Sequence, residues 1–213
     1  PQFYSVSDEE VTVYLEHEGQ IVQVEYLNES VYTNVSISKS GYTQVVPGQE
    51  IRYTFKDIGN NSTVPLDSFY WRDTLPTDAV RLDKIITGTY SARLNYKVVF
   101  QTNLNDTQRV LADNLNTQKN YTLDASPAAL GLASNEYVTQ VTFLFGRVPG
   151  GFKQVETPYI YCDVLSSLSH EYRFANKCDV GGMWQNQWVQ ATDRWVTIIY
   201  RGGPVPTLPR TGY

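Results

Sequence analysis

Methionine occurs once, cysteine twice and histidine twice in 213 residues, and each shortage removes a class of function. Two cysteines, Cys162 and Cys178, are too few for a disulfide-built scaffold or a closed zinc site. His17 and His170 each adjoin an acidic residue in turn-like sequence and read as solvated surface, not as metal ligands or catalytic groups. No run of lysine and arginine breaks a chain of net charge -5, so nucleic acid and anionic bilayers find no electrostatic footprint. No stretch approaches the roughly 20 apolar residues of a membrane-spanning helix. GxSxG, HExxH, Walker and GxGxxG motifs are all missing, and nothing singles out one pair among the 22 acidic residues. No enzyme acting on external substrates, no cofactor and no metal is therefore expected.

What the chain does have is tyrosine, 16 residues of it, together with abundant valine and threonine, a composition that favours pleated, half-buried strands. Apolar and polar residues alternate in VTVYLE, QIVQVEYL, VYTNVSISK, IRYTF, YVTQVTFLF, PYIYCDVL, YRFANKCDV and RWVTIIY, with turn sequences such as EHEG, VPGQ, DIGNN and RVPGG between them. The expected fold is all-β. DTQRVLADNLNTQKN, residues 106–120, has only Val110, Leu111 and Leu115 as apolar anchors and reads as a long loop or one short helix. Residues 8–27 form a glutamate-rich hairpin pattern, and a lone hairpin is marginal in water, so this piece reads as the end of a preceding domain. The organisation expected is residues 1–31 as closing strands, 32–202 as one β-domain and 203–213 as an extended tail, interrupted by Gly202, Gly203, Pro204, Pro206 and Pro209.

Alternate residues of a strand share a face, and three polar residues sit where this parity demands apolar ones. Val35 and Ile37 share a face with Lys39; Phe69, Trp71 and Leu75 with Asp73; Tyr172, Phe174, Cys178 and Val180 with Asn176. Burying an unpaired charge costs several kcal/mol, so three such residues in one core should satisfy one another. Burial favours a neutral amine and a protonated carboxyl, the groups that amide formation needs. Lys39 would attack the side-chain amide carbon of Asn176, Asp73 would polarise its carbonyl and shuttle protons, and ammonia would leave. The alternative reading is a buried ion pair or residues at a solvated strand rim.

The stretch SISKSGYTQVVPGQEIRYTFKDIGNNSTVPLDSFYWRDTLP resembles the start of the repeated β-sandwich domains of Gram-positive surface proteins, and FANKCDVGG resembles their asparagine-bearing strand. The resemblance covers about residues 35–200. It implies an Ig-like sandwich of the collagen-adhesin and pilin type, with Lys39 joined to Asn176 beside Asp73 in an internal isopeptide bond; Glu136 and Asp57 are rivals for the acid. Residues 11–30 resemble the closing strands of a prealbumin-like module whose acceptor would be Asn28. Its lysine would lie before Pro1, so Asn28 is expected to be unlinked. Near the end, Leu208, Pro209, Arg210, Thr211 and Gly212 spell LPRTG, which resembles a sortase sorting signal. By that resemblance a sortase transpeptidase cuts after Thr211 and transfers its carbonyl to a peptidoglycan or pilin amine, with the following apolar span and basic tail lying beyond Tyr213.

These readings imply an extracellular, cell-wall-anchored stalk or pilin-like structural module, with an adhesive module that binds host glycan or protein as the alternative. For the latter, Trp184 and Trp188 in an expected loop could stack on sugars, whereas Trp195 reads as core. If PYIYCDVL and YRFANKCDV form a hairpin centred near His170, Cys162 and Cys178 face each other and could bridge; two buried reduced thiols are the other outcome.

Overall fold

The computed structural model describes residues 10–17, 20–27 and 31–202. The chain divides into two compact units, Pro1–Tyr32 and Thr33–Tyr213. In the first, β1 (Glu10–His17) and β2 (Gln20–Leu27) pair antiparallel, with Glu10 opposite Leu27 and His17 opposite Gln20. Asn28 and the LPRTG residues 208–212, with the rest of the tail from 203, lie outside the described residues.

The second unit is a two-sheet β-sandwich, with no helix among its described residues. Its strands are β3 (Val35–Ser40), β4 (Gln44–Val45), β5 (Glu50–Asn60), β6 (Leu66–Thr74), β7 (Val80–Ile86), β8 (Asn95–Thr102), β9 (Asn105–Asn116), β10 (Thr122–Asp124), β11 (Val138–Val148), β12 (Tyr159–Val164), β13 (Arg173–Trp184) and β14 (Gln187–Ile199). One sheet has the order β10-β7-β12-β5-β3, and the other β4-β14-β13-β6-β11-β8-β9. All neighbours are antiparallel except β4 and β14. The core between the sheets is strongly aromatic. Trp71 stacks on Phe143 with centroids 4.0 Å apart, meets Phe55 at 4.8 Å, and donates its indole N–H to the Tyr90 hydroxyl at 3.0 Å.

The alternation read from the sequence is the alternation of burial. Val35, Ile37 and Lys39 point inward from β3, Phe69, Trp71 and Asp73 from β6, and Phe174, Asn176, Cys178 and Val180 from β13. Asp73 lies opposite Cys178, which fixes β6 and β13 so that Asn176 follows on the same face. The paired glycines after Val180 answer to close packing: a Cβ on Gly182 would stand 2.9 Å from the Leu66 Cβ.

Three expectations are corrected. Residues 106–120 hold most of β9 instead of a loop or helix. Among the described residues this edge strand pairs only with β8, through three register shifts and with Asn114 at a φ of 52°, so its faces exchange and the apolar period is lost. The hairpin of PYIYCDVL with YRFANKCDV does not form: β12 pairs with β5 and β7, β13 with β6 and β14, and the link 165–172 crosses from one sheet to the other. Trp184 and Trp188 stand on strands, because β13 and β14 turn tightly through Gln185 and Asn186, both at positive φ.

Candidate functional site

Lys39 reaches the core from β3 in one sheet; Asp73 and Asn176 reach it from β6 and β13 in the other. The lysine Nζ donates to Asp73 Oδ1 at 2.6 Å, with both side chains wholly buried. Asn176 Nδ2 donates to the second carboxyl oxygen, Oδ2, at 3.2 Å. One carboxyl group therefore bridges the amine and the amide. The backbone N–H of Lys39 donates to Asp193 Oδ2 of β14 at 2.7 Å, which ties the edge strand β3 to the opposite sheet at the level of the site.

The surroundings are dry and aromatic. Lys39 Nζ lies 4.0 Å from the Phe55 ring centroid and 4.5 Å from that of Tyr53. Burial, the largest influence, raises the Asp73 carboxyl above its usual value, against the opposing pull of Lys39 and the Asn176 hydrogen bond. Asn176 Oδ1 is buried and has no hydrogen-bond partner among the described residues. An orphaned carbonyl oxygen in a core is costly, by about 1–3 kcal/mol. It also marks where negative charge would collect if a nucleophile added to the amide carbon.

The rivals for the acid lie elsewhere. Glu136 accepts from Thr102 and Arg109 at the β8–β9 edge, and the Thr102 hydrogen bond leads the contacts that lower its carboxyl. Asp57 is exposed on β5 at a φ of 55° and accepts from the Ser38 hydroxyl at 2.9 Å. Parity thus brought together the three residues it singled out. It missed Asp193, which shares an inward parity with Trp195 and Thr197, and it missed Tyr53, which IRYTF presents as an ordinary core aromatic.

Cys162 and Cys178 are free, buried thiols that both border this centre. Burial pushes both upward, Cys178 to about 12, with Lys39 pulling the other way in each case. The tryptophans are further off. Trp188 is half exposed and meets Tyr70 edge-on at 6.1 Å, Trp184 packs against the rim of the core, and Trp195 donates its indole N–H to the Tyr42 carbonyl at 3.0 Å.

No protein-family model and no curated protein matches the chain. Among solved structures it is similar to the collagen-binding domain from a Staphylococcus aureus adhesin, at 11% identity over 80% of this chain and 99% of that one, with a TM-score of 0.33. It is also similar to AvmM, which catalyzes macrocyclization in alchivemycin A biosynthesis, at 10% identity over 92% of this chain and 99% of that one, with a TM-score of 0.28.

The state of the cysteines gives a direct check. A thiol reagent should find no reactive group in the folded protein at neutral pH and two in denaturant; a count of zero in denaturant would mean that the thiols are bridged.

Proposed function

We propose that this protein is a structural module of a bacterial cell surface, locked by an internal isopeptide bond between Lys39 and Asn176 and attached to the wall through its LPRTG segment. The observation that carries the reading is the wholly buried bridge from Lys39 through Asp73 to Asn176. A buried ion pair is a poor device for stability, since replacing one by well-packed apolar residues is often neutral or better. Condensation gives the arrangement a purpose, because it converts a buried amine and a primary amide into one neutral secondary amide.

The atoms balance within the triad. With the pair in its neutral form, amine beside carboxylic acid, the Lys39 nitrogen attacks Cγ of Asn176. Asp73 takes a proton from that nitrogen through Oδ1 and supplies one through Oδ2 to Nδ2, where it already meets the leaving group. The Nζ–Cγ bond forms, the Cγ–Nδ2 bond breaks, and ammonia leaves. Asp73 ends protonated, as its burial favours.

The consequence is mechanical. The bond spans 34 residues from Lys39 to Asp73 and a further 103 to Asn176. By the chain-entropy relation used for disulfides, closing a loop of roughly 137 residues removes about 5 kcal/mol of unfolded-state freedom. It also crosses between the two sheets, so a force that separates them meets a covalent bond. The second reading, an adhesive module for host glycan or protein, rests on Trp188, whose half-exposed indole beside Tyr70 offers a stacking surface.

Two experiments test the parts separately. In single-molecule pulling, the parent should extend only by residues outside 39–176, while Asn176→Ala, which keeps the Lys39–Asp73 pair, should gain about 450 Å more at full extension. Equal extension of the two would refute the lock. Incubated with a sortase and an oligoglycine acceptor, the chain should lose Gly212 and Tyr213 and carry the acceptor on Thr211, and Leu208→Ala should abolish transfer. An unprocessed parent chain would refute the anchor and leave the lock standing.

A further inference from the structure

Three buried side-chain polar atoms lack a hydrogen-bond partner among the described residues, and two of them stand at this site: Asn176 Oδ1 and the Tyr53 hydroxyl. Both lie inside the sandwich. Tyr53 rises from β5, two residues before Phe55, with its ring under Lys39 Nζ at 4.5 Å and its hydroxyl beside the side chains of Asn176 and Thr197. Thr197 commits its own proton to the Tyr42 carbonyl at 2.8 Å. The acid cannot serve the orphaned oxygen either, because both Asp73 oxygens are engaged, one with the amine and one with the amide nitrogen. A carbonyl without a donor and a phenol without an acceptor therefore belong to the same buried cluster around the Lys39–Asp73 pair.

We propose that Tyr53 is the oxyanion donor of the condensation: its hydroxyl hydrogen-bonds to Asn176 Oδ1 as the amide carbon becomes tetrahedral and charge gathers on that oxygen. The inference rests on the isopeptide reading above and divides the labour within it. Asp73 moves protons between the two nitrogens; Tyr53 stabilises the oxygen. Burial pushes the Tyr53 phenol well above its usual value, so it remains a proton-bearing donor throughout the working pH range. A donor held by the fold within the buried cluster needs little reorganisation in the transition state, and loss of one oxyanion donor costs about 10²–10³ in rate. A purely structural hydroxyl would behave differently. This one has no hydrogen-bond partner of normal geometry among the described residues, so Tyr53→Phe should leave stability unchanged or slightly raised.

The test is a time course of intact mass on the full chain, made by cell-free translation and sampled from the first minutes. The parent should lose one ammonia rapidly. Tyr53→Phe should reach the same final mass about 10²–10³ more slowly. Stability is compared in a Lys39→Met background, which cannot condense and leaves Asp73 free to hold its proton; there Tyr53→Phe should melt at or above the temperature of Lys39→Met alone. A Tyr53→Phe chain that condenses within about twofold of the parent rate overturns the assignment while the isopeptide reading stands. Slow condensation with a lowered melting temperature in the Lys39→Met background also overturns it, by giving the hydroxyl a structural role. A parent that never loses ammonia removes both.

Discussion

The contact between Lys39 and Asp73 is the constraint around which the sandwich is arranged. An amine and a carboxyl at 2.6 Å with no solvent exposure are tolerable only if neighbouring elements hold them in place and satisfy the remaining lone pairs and protons. β5 supplies two aromatic faces for the amine, β13 supplies the asparagine for the second carboxyl oxygen, and β14 grips the lysine backbone through Asp193. Strand order follows from the same need. Lys39 comes from the edge of the five-stranded sheet, where β3 can lie against β13 and β14, whereas Asp73 and Asn176 come from adjacent strands near the middle of the other sheet.

Parity exposed these residues because strand geometry is rigid. In β3, β6 and β13 the period-2 pattern survives around the site, so a polar residue on the inward face announces itself as an exception. What stayed hidden did so for physical reasons. β9 is an edge strand with irregular register, and its alternation is scrambled by the bulges that let it follow β8. The pairing of β12 departs from the expected hairpin because adjacent strands are the usual neighbours in an antiparallel fold, and nothing in the link 165–172 shows that it changes sheets. Tyr53 was invisible for a different reason. Its parity is that of a core aromatic, and what sets it apart is a hydroxyl without a partner among the described residues on a ring that lies under the Lys39 amine.

The environment decides which chemistry the three groups can perform. In water, a lysine amine is protonated and a primary amide is inert towards it. A buried, aromatic site changes these conditions, since desolvation raises the Asp73 carboxyl and strengthens every dipole aimed at the amide. The free thiols at the border share this environment, because the burial that raises Asp73 also raises Cys162 and Cys178 and keeps them in the unreactive thiol form. The outward faces of the same strands follow ordinary rules. There Arg72 pairs in bidentate fashion with Asp179, with both nitrogen–oxygen distances at 2.8 Å and the two side chains partly open to solvent. Adjacent residues of β6, Arg72 and Asp73, thus hold a surface ion pair and a buried contact with Lys39 and Asn176, separated only by the side of the sheet each faces.

The central claim, that Lys39 and Asn176 are covalently joined, is tested most directly by the intact mass of the purified, denatured chain together with the mass of the peptides released by digestion. The account requires a mass below that of the sequence by one ammonia, with Lys39 and Asn176 recovered in a single branched peptide. The full sequence mass, with the two residues in separate linear peptides, would contradict it and leave the site a buried ion pair.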